Sequence, residues 1–174
     1  MKDEYISSPL PSNAKTPEEA MEKVRFAPEE WLYVFGPKRP KMFKGDSNRV
    51  IPNDRFTPEF KDAVIVHNHI RGVSFSKEDV QSIISANVKE FIVVTPDHTY
   101  QVKRPKNGWP ANLQEEFEKY WEISVRLAEN MLMKLISMNE ITLAERDVEE
   151  MHYIWSSFFK LNDIKYARKE YKKG

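Results

Sequence analysis

Two histidines one residue apart, His67 and His69, end an apolar run at residues 63–66; Ser76 and Asp79 follow after a short loop containing Gly72. The run reads as a buried strand. Side chains alternate along a strand, so the two imidazoles share one face and Asn68 points to the other. The loop at 70–75 turns the chain, and Ser76 opens a helix whose first turn carries Asp79 back toward the strand end. Two neutral imidazoles and one carboxylate, with a fourth position left for water, are the ligands of an open, catalytic zinc site rather than a closed structural one. The chain has no cysteine, so any such ion must be held by histidine and carboxylate alone. Ser76 and Asp79 by themselves would mean little, because a serine with an acid three positions on caps almost any helix. The two histidines just upstream make the pattern specific; the alternative is a pair of buried, hydrogen-bonded structural histidines.

The elements that must position these side chains read as follows. Residues 1–16 are rich in Ser and Pro with few apolar partners, the composition of a flexible arm. Thr16 as N-cap, Pro17 and the acids Glu18 and Glu19 predict a short helix to about Arg25. Residues 30–35 form an aromatic and β-branched strand ended by Gly36 and Pro37. Residues 42–43 and 49–51 are short strands about a turn, giving a meander that leads into the histidine strand at 62–69. Thr57 and Pro58 signal a helical turn between them. After the Ser76 helix, which runs to about Asn87, residues 90–95 and 99–103 form a hairpin about Pro96, Asp97 and His98.

Pro105, Gly108 and Pro110 mark a boundary. Beyond it Asn112 and Glu115 form a capping box for a long helix to about Met138, with Leu113, Phe117, Tyr120, Trp121, Ser124 and Ala128 beginning its apolar face. Thr142 and Glu145 repeat the box for a second helix, whose buried stripe includes Val148, Met151, Ile154, Trp155, Phe158 and Phe159. A basic, solvated tail is expected from Lys165 to Lys173. His98 is expected at the surface and His152 at the edge of the second stripe. The plan is α+β, organised as an arm (1–16), a metal-binding domain (17–110) and a C-terminal helical hairpin (111–174). That hairpin either packs on the sheet or extends from it as an arm for a protein partner.

Lys plus Arg equals Asp plus Glu at 27 each, so no general basic footprint favours nucleic acid or an anionic membrane. No segment approaches the ~18 unbroken apolar residues of a membrane span, and the polar first residues do not read as a signal peptide. A soluble, cytoplasmic protein is expected. The string His67, Asn68, His69 invites comparison with HNH nucleases. Those enzymes distribute the three residues over separate elements and need a basic groove for phosphates, which contiguous spacing and neutral charge argue against.

His67, Asn68 and His69, then Gly72, then Ser74, Phe75, Ser76 and Asp79 together resemble the JAB/MPN (JAMM) metallopeptidase superfamily, whose motif is His-x-His, a spacer, and Ser-x-x-Asp. The wording Ser-Phe-Ser-x-x-Asp, the later Val-Val-Thr and Tyr-x-Val-Lys-Arg-Pro hairpin, and the Gly-Trp beyond it are similar to the domain of phage minor-head (Mu F-like) and polymorphic-toxin-associated proteins. The likeness covers roughly residues 28–110. It implies a cytidine-deaminase-like central mixed sheet with flanking helices. It further implies Zn2+ on His67, His69 and Asp79, Ser76 hydrogen-bonding near the reaction centre, and hydrolysis of a peptide or isopeptide bond in a bacterial or phage-encoded setting. The family's upstream general base falls on Glu30, with Glu29 as the alternative. Two departures accompany the match: six residues separate His69 from Ser76, one fewer than the usual spacer, and Ile70 stands where many members have proline. A catalytically inactive interaction module is therefore the second reading, and a metal-dependent nuclease the third.

Overall fold

The computed structural model describes residues 13–37, 40–44 and 57–172. The arm expected at 1–16 and the short strand expected at 49–51 lie mostly or wholly outside them. The helices are α1 (Pro17–Val24), a one-turn α2 (Thr57–Phe60), α3 (Lys77–Ser85), α4 (Phe117–Ser137) and α5 (Leu143–Leu161). The strands are β1 (Trp31–Phe35), β2 (Lys41–Lys44), β3 (Val64–Asn68), β4 (Glu90–Val94), β5 (His98–Lys103) and β6 (Tyr166–Glu170). They form a six-stranded mixed sheet in the order β2-β1-β3-β4-β5-β6, in which β3 and β4 are parallel and all other neighbours antiparallel. The α+β plan holds at this level.

Strand periodicity sorts the core into two layers. Leu32, Val34, Ile65, Phe91, Val93 and Val102 face α3, α4 and α5, where Val80, Ile83, Phe117, Trp155, Phe158 and Phe159 close the larger core. Trp31, Tyr33, Val66, Ile92 and Val94 face α1, which contributes Ala20 and Val24. The C-terminal helices thus bury their aromatic stripe against the sheet: Trp155 lies 5.0 Å from Trp121 and 5.3 Å from Phe158, ring to ring.

Several local signals act as the residues suggest. Thr16 caps α1 by accepting from the Glu19 amide, with Pro17 in the first turn, and the Thr142–Glu145 capping box of α5 is present in both directions.

Three expectations are corrected. The strands before β3 are not a meander, because β1 rather than a later strand pairs with β3. The reason is burial: four of the five β1 residues are buried, as a central strand requires, whereas β2 begins and ends with exposed lysines, which suit an edge. The Asn112–Glu115 capping box does not form. Leu113 is fully buried in a run of turns, the Asn112 amide donates to Glu116 at 2.6 Å, and α4 begins only at Phe117. Finally, the basic segment after Lys165 is not a solvated tail. Tyr166–Glu170 is β6, paired along β5 from Val102↔Tyr166 to His98↔Glu170.

Candidate metal centre

His67 is the penultimate residue of β3, and His69 follows the strand's last residue. Their rings stand edge to face with centroids 4.7 Å apart, both buried, on the sheet face covered by α3. β1 and β3 are direct neighbours whose pairing ends at Leu32 and His67, and Glu30 stands just ahead of β1, beside His67. The N-terminus of α3 approaches the same end of the sheet.

Asp79 is buried in the first turn of α3. Its Oδ2 accepts from the Ser76 amide at 2.8 Å and lies 3.4 Å from His69 Nε2. Ser76 Oγ accepts from the Asp79 amide at 3.0 Å, completing the capping box. The hydroxyl of Ser76 is thus the N-cap of α3 at the rim of the cluster, and it keeps one O–H to donate. Glu30 Oε2 lies 3.8 Å from His67 Nε2. Glu29, the alternative base, is instead half-exposed and paired with Lys44 at 2.6 Å.

Both histidines are oriented through Nδ1. That of His67 lies 3.0 Å from the Trp31 carbonyl, and that of His69 3.0 and 3.1 Å from the carbonyls of Ser74 and Val73. A carbonyl can only accept, so each Nδ1 carries a proton. Nε2 of neutral His67 presents its lone pair toward the cluster, while His69 Nε2 faces the Asp79 carboxylate and, when protonated, donates to it, a proton that a bound metal would displace. Ligating histidines are held in this way by their outer shell.

Burial, reinforced by the neighbouring His69, pulls His67 down to about 4, so it is neutral at ordinary pH. Burial would lower His69 as well, but its hydrogen bond and charge contact with Asp79 outweigh that and raise it. For Asp79 burial acts upward, and the His69 hydrogen bond, both imidazoles and the Ser76 amide hold it below the usual carboxylate range. Glu30 is raised, chiefly by burial, with the Asp79 charge adding and His69 opposing. A carboxylate whose pKa is raised is a stronger base than an ordinary exposed one.

The donor set fits a zinc ion in chemistry. Two ligands about 2.0–2.1 Å from a tetrahedral zinc stand roughly 3.3 Å apart, close to the 3.4 Å between His69 Nε2 and Asp79 Oδ2. The four side chains are grouped as two neighbouring pairs, His69 with Asp79 and His67 with Glu30. Among the described residues, no set of three or more histidine or acidic side chains is gathered about one point.

Further residues shape the cluster without being legible as site residues. Asn68, 1 % exposed, reaches across to β1, accepting the Trp31 amide at 2.6 Å and donating to the Glu29 carbonyl at 2.9 Å. Its only sequence signal is a polar residue in a buried strand. Trp155 Nε1 donates to the Phe75 carbonyl at 2.7 Å, and Ser74 Oγ shares a hydrogen bond with Tyr166 Oη at 3.0 Å. His98 and His152 are partly buried on β5 and α5, apart from the cluster; His152 Nδ1 lies 3.0 Å from Tyr166 Oη.

No protein-family model matches this sequence, and the comparisons with curated proteins and with solved structures give no match either.

Proposed function

We propose that this chain is a zinc-dependent hydrolase of peptide or isopeptide bonds, of the JAB/MPN kind, with His67, His69 and Asp79 as ligands and Glu30 as general base. The observation that supports the reading is the placement, near one end of β3, of two imidazoles whose Nδ1 atoms are tied to backbone carbonyls, with a buried aspartate in the first turn of α3 beside His69 and a partly buried glutamate, just ahead of β1, beside His67. A bound zinc would lower the pKa of its water toward neutrality and polarise the scissile carbonyl. Glu30, beside His67, would accept the proton of the attacking water and pass it to the leaving amine. Ser76, at the head of α3, supplies a hydroxyl at the rim for the carbonyl oxygen as negative charge develops there. The finer fold assignment, a cytidine-deaminase-like sheet, and a cytoplasmic, bacterial or phage-associated setting belong to the same proposal.

A second reading, a catalytically inactive interaction module, is favoured by one observation. Leu127, Met131 and Met138 are exposed at helical spacing along α4 and its C-terminal end, an apolar stripe suited to a protein partner. No helix among the described residues is long and apolar enough to cross a membrane. Comparing Glu30→Gln with wild type, both loaded with zinc, separates the readings. The hydrolase reading expects peptide or isopeptide cleavage by the wild type and its loss in the variant with zinc retained. A zinc-loaded wild type that cleaves neither class of bond, or a Glu30→Gln variant as active as wild type, contradicts it.

A further inference from the structure

The loop between β3 and α3 supplies both carbonyls that orient His69, yet it has no regular secondary structure of its own. Its conformation is imposed from the C-terminal part of the chain. Phe75 is fully buried, with its ring 5.1 Å from Phe91 and 5.7 Å from Tyr166, and its carbonyl takes the Trp155 indole N–H. Ser74, 1 % exposed, has its hydroxyl 3.0 Å from Tyr166 Oη. Tyr166 is fixed in turn: its backbone is paired with Val102 of β5, and its hydroxyl lies 3.0 Å from His152 Nδ1. A chain of contacts therefore runs from His152 through Tyr166 and Ser74 to the Nδ1 of His69.

We propose that Tyr166, acting through Ser74, is a positioning residue for His69, so that β6 and α5 form part of the metal centre although no ligand lies on them. This inference rests on the reading of His67, His69 and Asp79 as metal ligands. Without the Tyr166 hydroxyl, Ser74 loses its anchor and its carbonyl is free to rotate away from His69, and the imidazole loses the orientation that aims Nε2 at the ion. Removing an outer-shell partner of a ligating histidine typically weakens metal binding ~10–100-fold.

The test is zinc affinity of the full chain, measured by competition with a chromophoric chelator, with the urea midpoint of the metal-free protein measured in parallel. Tyr166→Phe and Ser74→Ala are each expected to weaken zinc binding by at least ~10-fold, the double variant no further than either alone, and Ser74→Thr to stay near wild type. Should Tyr166→Phe fail to fold, Ser74→Ala decides. A merely structural role would lower the urea midpoint and leave zinc affinity unchanged, and that result overturns the inference. A wild type that binds no zinc overturns the ligand reading first and this inference with it, so the two failures are told apart by the wild-type measurement.

Discussion

Asn68 and Trp31 are joined by a 2.6 Å hydrogen bond from the Trp31 amide to the Asn68 side-chain oxygen, and the nitrogen of the same side chain donates to the Glu29 carbonyl. One buried side chain on β3 therefore holds the backbone on both sides of Glu30. Substituting Asn68→Ala strands a buried amide and a carbonyl, and should destabilise the protein by roughly 2–4 kcal/mol. Urea denaturation measures this. A variant as stable as wild type would show that water or a backbone shift replaces both bonds.

The Trp155 indole anchors the loop at Phe75 from inside the aromatic core. Trp155→Phe keeps most of the apolar surface but deletes the donor, leaving the Phe75 carbonyl buried without it. A loss of about 1–3 kcal/mol is expected, read as a lower urea midpoint with an unchanged slope.

Acid should destabilise the metal-free protein through His67 and His152, whose pKa values are lowered. Burial, aided by the charges of Arg168 and His98, holds His152 down at about 3, and His67 lies at about 4. The unfolded chain takes up these protons below its ordinary histidine pKa of about 6.5, and the folded chain does not. Their contribution to stability is thus fully present above that pH and is lost as pH falls from there toward 4 and 3. The urea midpoint should decline across this window, and His152→Gln should flatten the decline. An equal slope in wild type and variant would contradict the assignment for His152.

Arg25 ties the β4–β5 turn to α1: its guanidinium donates to the carbonyls of Thr95 and His98 and to Thr99 Oγ1, and it stacks 3.9 Å from the centre of the Tyr171 ring. Arg25→Met keeps the aliphatic stem and removes these donors. A loss of about 2–3 kcal/mol is expected, together with faster amide exchange in residues 95–99.

What could be read from the residues was local. The alternation that puts His67 and His69 on one face, the Ser76–Asp79 cap and the Thr16 and Thr142 caps depend on neighbours within a turn or two, and each stands as its spacing suggests. Long-range relationships were hidden. Nothing in Trp31–Phe35 announces that it will pair with β3 and bring Glu30 beside His67; that follows from burial on both sheet faces. Tyr166–Glu170 looks like a charged tail because its stabilising partners are remote: β5 supplies its ladder and Glu149 on α5 takes the Arg168 guanidinium at 2.5 Å. Asn112 was misleading for the opposite reason, since the short-range cap signal lost to burial of Leu113.

The measurement that bears most directly on the central claim is zinc content per chain after purification without chelator and gentle reloading, compared between wild type and Asp79→Ala. The account predicts about one zinc per wild-type chain, as a single site of this ligand set requires, and a variant that remains folded but retains almost none. A folded wild type that takes up no zinc, or an Asp79→Ala variant that holds it as tightly, would contradict it.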